Sequence, residues 1–303
     1  MRLGFKTLVI ATSLLGVLST PPRAEPIDDA LAAYERKDYA AALAFARPLA
    51  ESGHPRAQNM IGNFYAFGFG VPKDEIEAFK WYRKAADAGD PRAQSNVGVA
   101  YATGQSGVEI DKAEAARWFA KAAEQGFARA QFFLAGMYLR GDGVPLNEAT
   151  AASWTRQAAE QGDPQAQTAL GYAYDIGQGV LQDYEQARVW YRKAADQGDS
   201  GAQASLAFLY ENGRGATQDY AEALNWFRKS ANQGNQRGLI GLGYLYEAGK
   251  GVPRDAVVAH KFFNLAAAKG DEYARERRDA LAKKMTPAQI SEAQRLAREW
   301  RPQ

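Results

Sequence analysis

Residues 166–198 read AQTALGYAYDIGQGVLQDYEQARVWYRKAADQG. Gly177 and Gly179 divide this stretch into two segments, each of a length suited to a short helix. Gly177 stands where the first helix must end, because glycine takes the left-handed conformation without a Cβ penalty. Gly179 lets the chain reverse, and Asp183 is placed to cap the free amides of a second helix. That second helix carries Trp190 and the small pair Ala194-Ala195, which permits close helix approach, before Gly198 terminates it. Upstream, Gly162-Asp163-Pro164 supplies a cap followed by proline at the first helical position. The reading is helix, tight turn, helix.

The same unit recurs along the chain. Its closing glycines fall at Gly53, Gly89, Gly126, Gly162, Gly198, Gly234 and Gly270, a period of 36 broken once by a spacing of 37. The extra residue lies in Gly104-Gln105-Ser106-Gly107, where other units have Gly-x-Gly, and a loop is where a repeat tolerates insertion. The turn glycines recur as Gly68, Gly104, Gly141, Gly177, Gly213 and Gly249, followed by Gly70, Gly107, Gly143, Gly179, Gly215 and Gly251. Second-helix caps recur as Asp74, Asp111, Asn147, Asp183, Asp219 and Asp255, and its aromatic column as Trp81, Trp118, Trp154, Trp190, Trp226 and Phe262. In the first unit Ala57, Ile61, Phe64 and Tyr65 are apolar at helical spacing. A strict period of this size is the signature of a solenoid.

These units, with Ala166-Gln167, Gly171, Tyr174, Gly179-Val180, Asp183 and Trp190-Tyr191-Arg192-Lys193-Ala194-Ala195 as the fullest copy, resemble Sel-1-like repeats, relatives of the tetratricopeptide repeat. The resemblance spans residues 56–270 in six copies. Local departures are Ala135 for the mid-helix glycine and Thr155 for the second aromatic in the third unit, and Gly238-Leu239 for Ala-Gln in the sixth. It implies an all-α, right-handed α/α superhelical solenoid. Residues 25–55 are expected to form an N-terminal helical cap, and residues 271–303 a C-terminal one that covers the apolar end of the stack. The last helix should open on the capping box Thr286-Pro287-Ala288-Gln289, with Ile290, Ala293, Leu296, Ala297 and Trp300 on one face.

Composition narrows the chemistry. The 303 residues are 46% hydrophobic, enough for a sizeable core, and Lys+Arg 37 against Asp+Glu 35 gives a net charge of +2. Arg2, Lys6 and Arg23 precede position 25, so the body is near neutral, without the basic stripe that nucleic acid would require. With no cysteine, disulfides, thiolate zinc sites and thiol nucleophiles are absent, and two histidines leave little for metal or triad chemistry. Residues 1–24 pair a positive start with an apolar run from Leu8 to Leu18 and the break Thr20-Pro21-Pro22, as a secretory signal does. The mature chain is expected to begin near Glu25, without a lipid anchor or membrane span, in the periplasm of a Gram-negative envelope or secreted.

No catalytic, cofactor or metal residue is assigned. Gly68-Phe69-Gly70 and its copies join two helices rather than following a strand, so they are turns and not a phosphate loop. His54 sits in a turn before Pro55, and His260 lies among Val258, Phe262 and Phe263. The columns Tyr65, Tyr101, Tyr138, Tyr174, Tyr210, Tyr246 and Gln58, Gln94, Gln131, Gln167, Gln203 are expected to be structural, because they recur in every unit or nearly so. By resemblance to tetratricopeptide arrays, the opposite side of each first helix lines a concave groove. Its residues vary while the scaffold repeats: Asn59, Asn63 and Ala66 in the first unit; Phe132, Leu139 and Arg140 in the middle. Thr168, Tyr172 and Asp175 follow, then Ala204, Phe208 and Glu211, then Ile240, Tyr244 and Glu247. Tyr172, Phe208 and Tyr244 would form an aromatic row beside an acidic row of Asp175, Glu211 and Glu247, both outside the inter-repeat core. The resemblance implies a non-enzymatic, exported protein–protein interaction scaffold, an adaptor, regulator or assembly factor of the bacterial envelope. The two rows would suit a segment of a protein or peptide partner carrying apolar and basic side chains. The alternative is a cell-wall or β-lactam-directed protein or enzyme, as suggested for cysteine-rich relatives.

Overall fold

A computed structural model describes residues 27–302, so the expected signal at 1–24 and the chain start near Glu25 lie outside the described residues. Those residues form α1 (Asp28–Glu35) and α2 (Tyr39–Glu51), then six helix pairs. The pairs are α3 (Pro55–Phe67) with α4 (Glu75–Asp87), α5 (Pro91–Thr103) with α6 (Lys112–Glu124), and α7 (Ala128–Arg140) with α8 (Glu148–Glu160). They continue as α9 (Pro164–Ile176) with α10 (Tyr184–Asp196), α11 (Ser200–Asn212) with α12 (Tyr220–Asn232), and α13 (Gln236–Ala248) with α14 (Ala256–Ala267). Two further helices, α15 (Glu272–Ala282) and α16 (Pro287–Glu299), close the chain. From α1 to α15 each helix packs on the next, which makes the right-handed α/α solenoid.

Local chemistry sets most of the boundaries. The side chains of Asp74, Asp111, Asn147, Asp183, Asp219 and Asp255 all accept from backbone amides that open the second helices. On the first helices Asp90, Asp163, Asp199 and Asn235 do the same, and His54 caps α3 through Nδ1, 3.3 Å from the amide of Ala57. The second turn glycine also answers a close approach. At Gly179 φ is +69°, and a Cβ would lie 2.1 Å from the carbonyl oxygen of Glu148 in the preceding repeat.

Packing within a unit rests on a glycine facing an aromatic ring. A Cβ on Gly62 would lie 2.5 Å from Tyr82, on Gly98 2.9 Å from Phe119, on Gly171 2.7 Å from Tyr191, and on Gly243 2.7 Å from Phe263. This explains the third unit, where Ala135 replaces the glycine and the smaller Thr155 replaces the ring, both buried. In the fifth unit Ala207 stands at the glycine position, and Phe227 presses instead on Gly241 of the next repeat.

A ladder of amides ties repeat to repeat. Gln58, Gln94, Gln131, Gln167 and Gln203 are buried, and each Nε2 donates to a carbonyl of the preceding helix at 3.1–3.3 Å. Gln125, Gln161, Gln197 and Gln233 then donate to the Oε1 of Gln94, Gln131, Gln167 and Gln203 at 2.8–2.9 Å. In the sixth unit Leu239 takes the glutamine's place and is fully buried. The tyrosine column is half-buried at the seam, with hydroxyls met by Arg83 at Tyr101, Arg156 at Tyr174 and Arg228 at Tyr246. At the end of the stack α15 and α16 both pack on α14, with Ala293 and Ala297 buried and Trp300 half-buried.

Candidate functional site

The face of the first helices opposite the packing seam is a groove. In repeats four to six it holds two adjoining clefts of about 570 and 130 Å³. The larger is lined by Phe208 and Glu211 of α11, Ile240 and Tyr244 of α13, Arg237, and Tyr273 of α15. The smaller is lined by Tyr172 and Asp175 of α9, Tyr191 of α10, and Phe208 again. Five of the six residues singled out from the sequence therefore border one continuous depression. Glu247 lies one turn beyond Tyr244, where Arg277 of α15 holds it at 2.5 Å. Tyr172 and Phe208 are each 47% exposed, and Tyr244 is half-buried.

Two expectations need correction. First, the rows are not detached from the core. The ring of Phe208 meets the buried Phe227 edge-on, with centroids 5.6 Å apart at 84°, and Ala204 and Glu211 are themselves buried. The reason is the close packing of α11 against α12 and α13, which draws the groove floor into the seam. Second, the acidic row is not free. Lys250, in the turn after α13, sits 3.9 Å from Glu211 and donates to the Tyr244 hydroxyl at 3.0 Å while lying over its ring. Burial pushes the Glu211 carboxyl above its ordinary range, against the pull of Lys250. Asp175 is also raised by burial, with Arg214 and the Tyr191 hydroxyl opposing. Lys250 and Arg277 thus face Glu211 and Glu247, and Asp175 lies by the Tyr191 hydroxyl. The acidic row therefore supplies little free negative charge, which weakens the expectation of a basic ligand.

Lys250, Arg237 and Tyr273 are site residues that the sequence columns missed. Arg237 had a visible signal: it is one turn before Ile240 on the same helical face. Lys250 stands between the turn glycines Gly249 and Gly251, and Tyr273 follows Gly270-Asp271 one period after Arg237, positions that read as scaffold in the sequence. Elsewhere, His260 is buried with Nδ1 unpartnered, and His54 is engaged as a cap. Among the described residues there is no group of three or more His, Cys, Asp or Glu arranged to hold a metal ion. Nor is any helix there long and apolar enough to cross a membrane.

The class these features define is a helix-pair solenoid carrying a groove along its first-helix face. Residues 55–90, 91–127, 128–163, 164–199, 200–235 and 237–271 each match the Sel1 repeat, and the chain belongs to the Sel1 repeat family. Members of that family are generally protein–protein interaction scaffolds. The chain is similar to a crystal structure of a protective antigen of uropathogenic Escherichia coli strains displaying an SLR fold. The identity is 34% with a TM-score of 0.65, over 88% of this chain and 66% of that one, just under two thirds of its length. It is also similar to a Sel1 repeat protein from Oxalobacter formigenes, with 34% identity and a TM-score of 0.71, over 79% of this chain and 98% of that one. No curated protein matches the sequence.

Proposed function

We propose that this protein is a non-enzymatic scaffold, exported to the periplasm or secreted, that seats a segment of a protein partner in the groove of repeats four to six. The observation that carries this reading is the row Tyr172, Phe208 and Tyr244: three flat rings from consecutive repeats bordering adjoining clefts. Aromatic side chains offer large apolar area at modest entropy cost and dominate interface hot spots. Phe208 is held by Phe227 and Tyr244 by Lys250, so two of the rings are set before a partner arrives. Asp175, Glu211 and Glu247 are met by Tyr191, Lys250 and Arg277, and Arg214 and Arg237 are exposed charges beside the row. Membership of a family of protein–protein interaction scaffolds supports a binding role.

The test is calorimetric titration of an isolated partner. Replacing Phe208 and Tyr244 together by Ala should weaken binding by about 2 kcal/mol or more, while undiminished affinity would move the site to the outer helices or the loops. Export is tested by amino-terminal sequencing of protein from the cell envelope or medium. A start near Glu25 is expected, and Met1 retained in the cytosol contradicts it. Purified protein should neither hydrolyse nor be acylated by a β-lactam.

A further inference from the structure

We propose that the other half of the groove, in repeats one to three, is a second subsite that takes the acidic side chains of an extended partner segment. The inference rests on the reading of the groove as a partner site and extends it by naming the chemistry of a second contact. The cleft there measures about 510 Å³. Asn59 and Asn63 of α3, Arg92, Ser95 and Asn96 of α5, and Arg129 at the start of α7 line it.

The hydrogen bonds already made decide what this surface has left to offer. Asn59 Oδ1 accepts from Asn96 Nδ2 at 3.1 Å, and Asn63 Oδ1 accepts from the Tyr82 hydroxyl at 2.8 Å. With those oxygens engaged, the Nδ2 donors are what Asn59 and Asn63, both lining the cleft, have left to offer. Ser95 is only 2% exposed, and its hydroxyl is buried without a partner. Such a group is destabilising in the free protein unless something meets it. Arg92 and Arg129 are exposed, and neither guanidinium has an ion pair among the described residues; Arg129 lies over the Phe133 ring, 5.3 Å away. The one carboxylate lining the cleft, Glu75, is 2.7 Å from Lys73 and so is neutralised. The surface is rich in donors and in unpaired positive charge. Its complement is an acceptor-rich, negative ligand: Asp or Glu side chains on an extended backbone, with carbonyls facing the asparagine donors. The cation column is legible in sequence, since Arg92 and Arg129 precede Ala-Gln just as Arg237 precedes Gly238-Leu239.

The experiment is selection of a random peptide library, displayed by its carboxyl end so that no free C-terminal carboxylate exists, on the full protein and on two variants. Wild type should enrich peptides that combine acidic with aromatic or aliphatic residues. Arg92→Glu with Arg129→Glu should lose the acidic bias and keep the apolar one, whereas Phe208→Ala with Tyr244→Ala should do the reverse. A recovered peptide, synthesised with an amidated C-terminus, should bind the arginine variant at least about tenfold more weakly at low salt, with a smaller difference in high salt. Ser95→Ala is the sharper probe. It should leave thermal stability unchanged or raised, because an unpartnered hydroxyl is removed, yet weaken the peptide several-fold. Peptides that need Phe208 and Tyr244 but show no acidic bias would overturn this subsite and leave the aromatic site standing. An acidic bias surviving the arginine reversal would also overturn it, and a library yielding no binder would contradict both readings.

Discussion

Ala88→Gln should stabilise the protein, and the reason lies in one incomplete rung of the amide ladder. Gln58 donates to the Ala50 carbonyl at 3.1 Å, but its Oε1 is buried without a partner. At the next four junctions that oxygen is met by the glutamine at the C-cap of the following second helix. Ala88 holds the same C-cap position after α4 and is exposed, so a longer side chain has room there. A glutamine at 88 would reach Gln58 Oε1 as Gln125 reaches Gln94, and Gly53 O as Gln125 reaches Gly89 O at 3.1 Å. Satisfying a buried acceptor is worth roughly 1–3 kcal/mol, and the second bond adds about 1 kcal/mol. Ordering the glutamine opposes this by about 1.5–2 kcal/mol. The expected net gain is about 1 kcal/mol, read as a higher urea midpoint at unchanged slope. The gain should vanish when Gln58 is replaced by Leu, since the acceptor is then gone. A midpoint that does not rise, or that rises equally in the Gln58→Leu background, refutes the reasoning.

Gly62→Ala should destabilise by about 1–3 kcal/mol, because its Cβ would sit 2.5 Å from a Tyr82 ring anchored to Asn63. Adding Tyr82→Thr, which copies the Ala135 and Thr155 pair, should give a loss smaller than the sum of the single changes in urea titrations. Burial raises the folded-state pKa of Glu211, so its contribution is fully favourable below the unfolded carboxyl value and is lost as pH rises through the folded one. Glu211→Gln should therefore melt higher than the parent at pH 7 and converge with it below about pH 4; a parent that melts higher at pH 7 contradicts this. Trp300→Ala should destabilise by about 2 kcal/mol, less than the 3–5 kcal/mol of a fully buried ring, because Trp300 is half-buried against α14. An unchanged urea midpoint would show that α16 contributes nothing to the end of the stack.

The solenoid was legible because its determinants are local and repeat. Glycines such as Gly177, caps such as Asp183 and prolines such as Pro164 act within a few residues of themselves, and six copies remove ambiguity. The Ala135 and Thr155 departures were visible, but their common cause needed the distance between a glycine and a ring on the facing helix. The groove was legible in direction, since helical spacing put Tyr172, Phe208 and Tyr244 on one face. Its charge was not. Glu211 finds Lys250 across a turn, and Glu247 finds Arg277 on a capping helix outside the repeat pattern. Columns compare equivalent positions, whereas these pairs join positions that are not equivalent. The donor-rich half of the groove stayed hidden for the same reason: Asn59 and Asn63 read as ordinary polar residues until Asn96 and Tyr82 were seen to occupy their oxygens.

The central claim is that the first-helix groove is where a partner sits. A photo-reactive benzoyl-phenylalanine placed in turn at Tyr172, at Tyr244, at Lys193 on a second helix and at the exposed loop residue Leu181 tests it in the producing cell. The groove positions should give an adduct with one and the same protein, and Phe208→Ala should suppress it. Adducts formed only from Lys193 or Leu181, and unaffected by Phe208→Ala, would contradict the account.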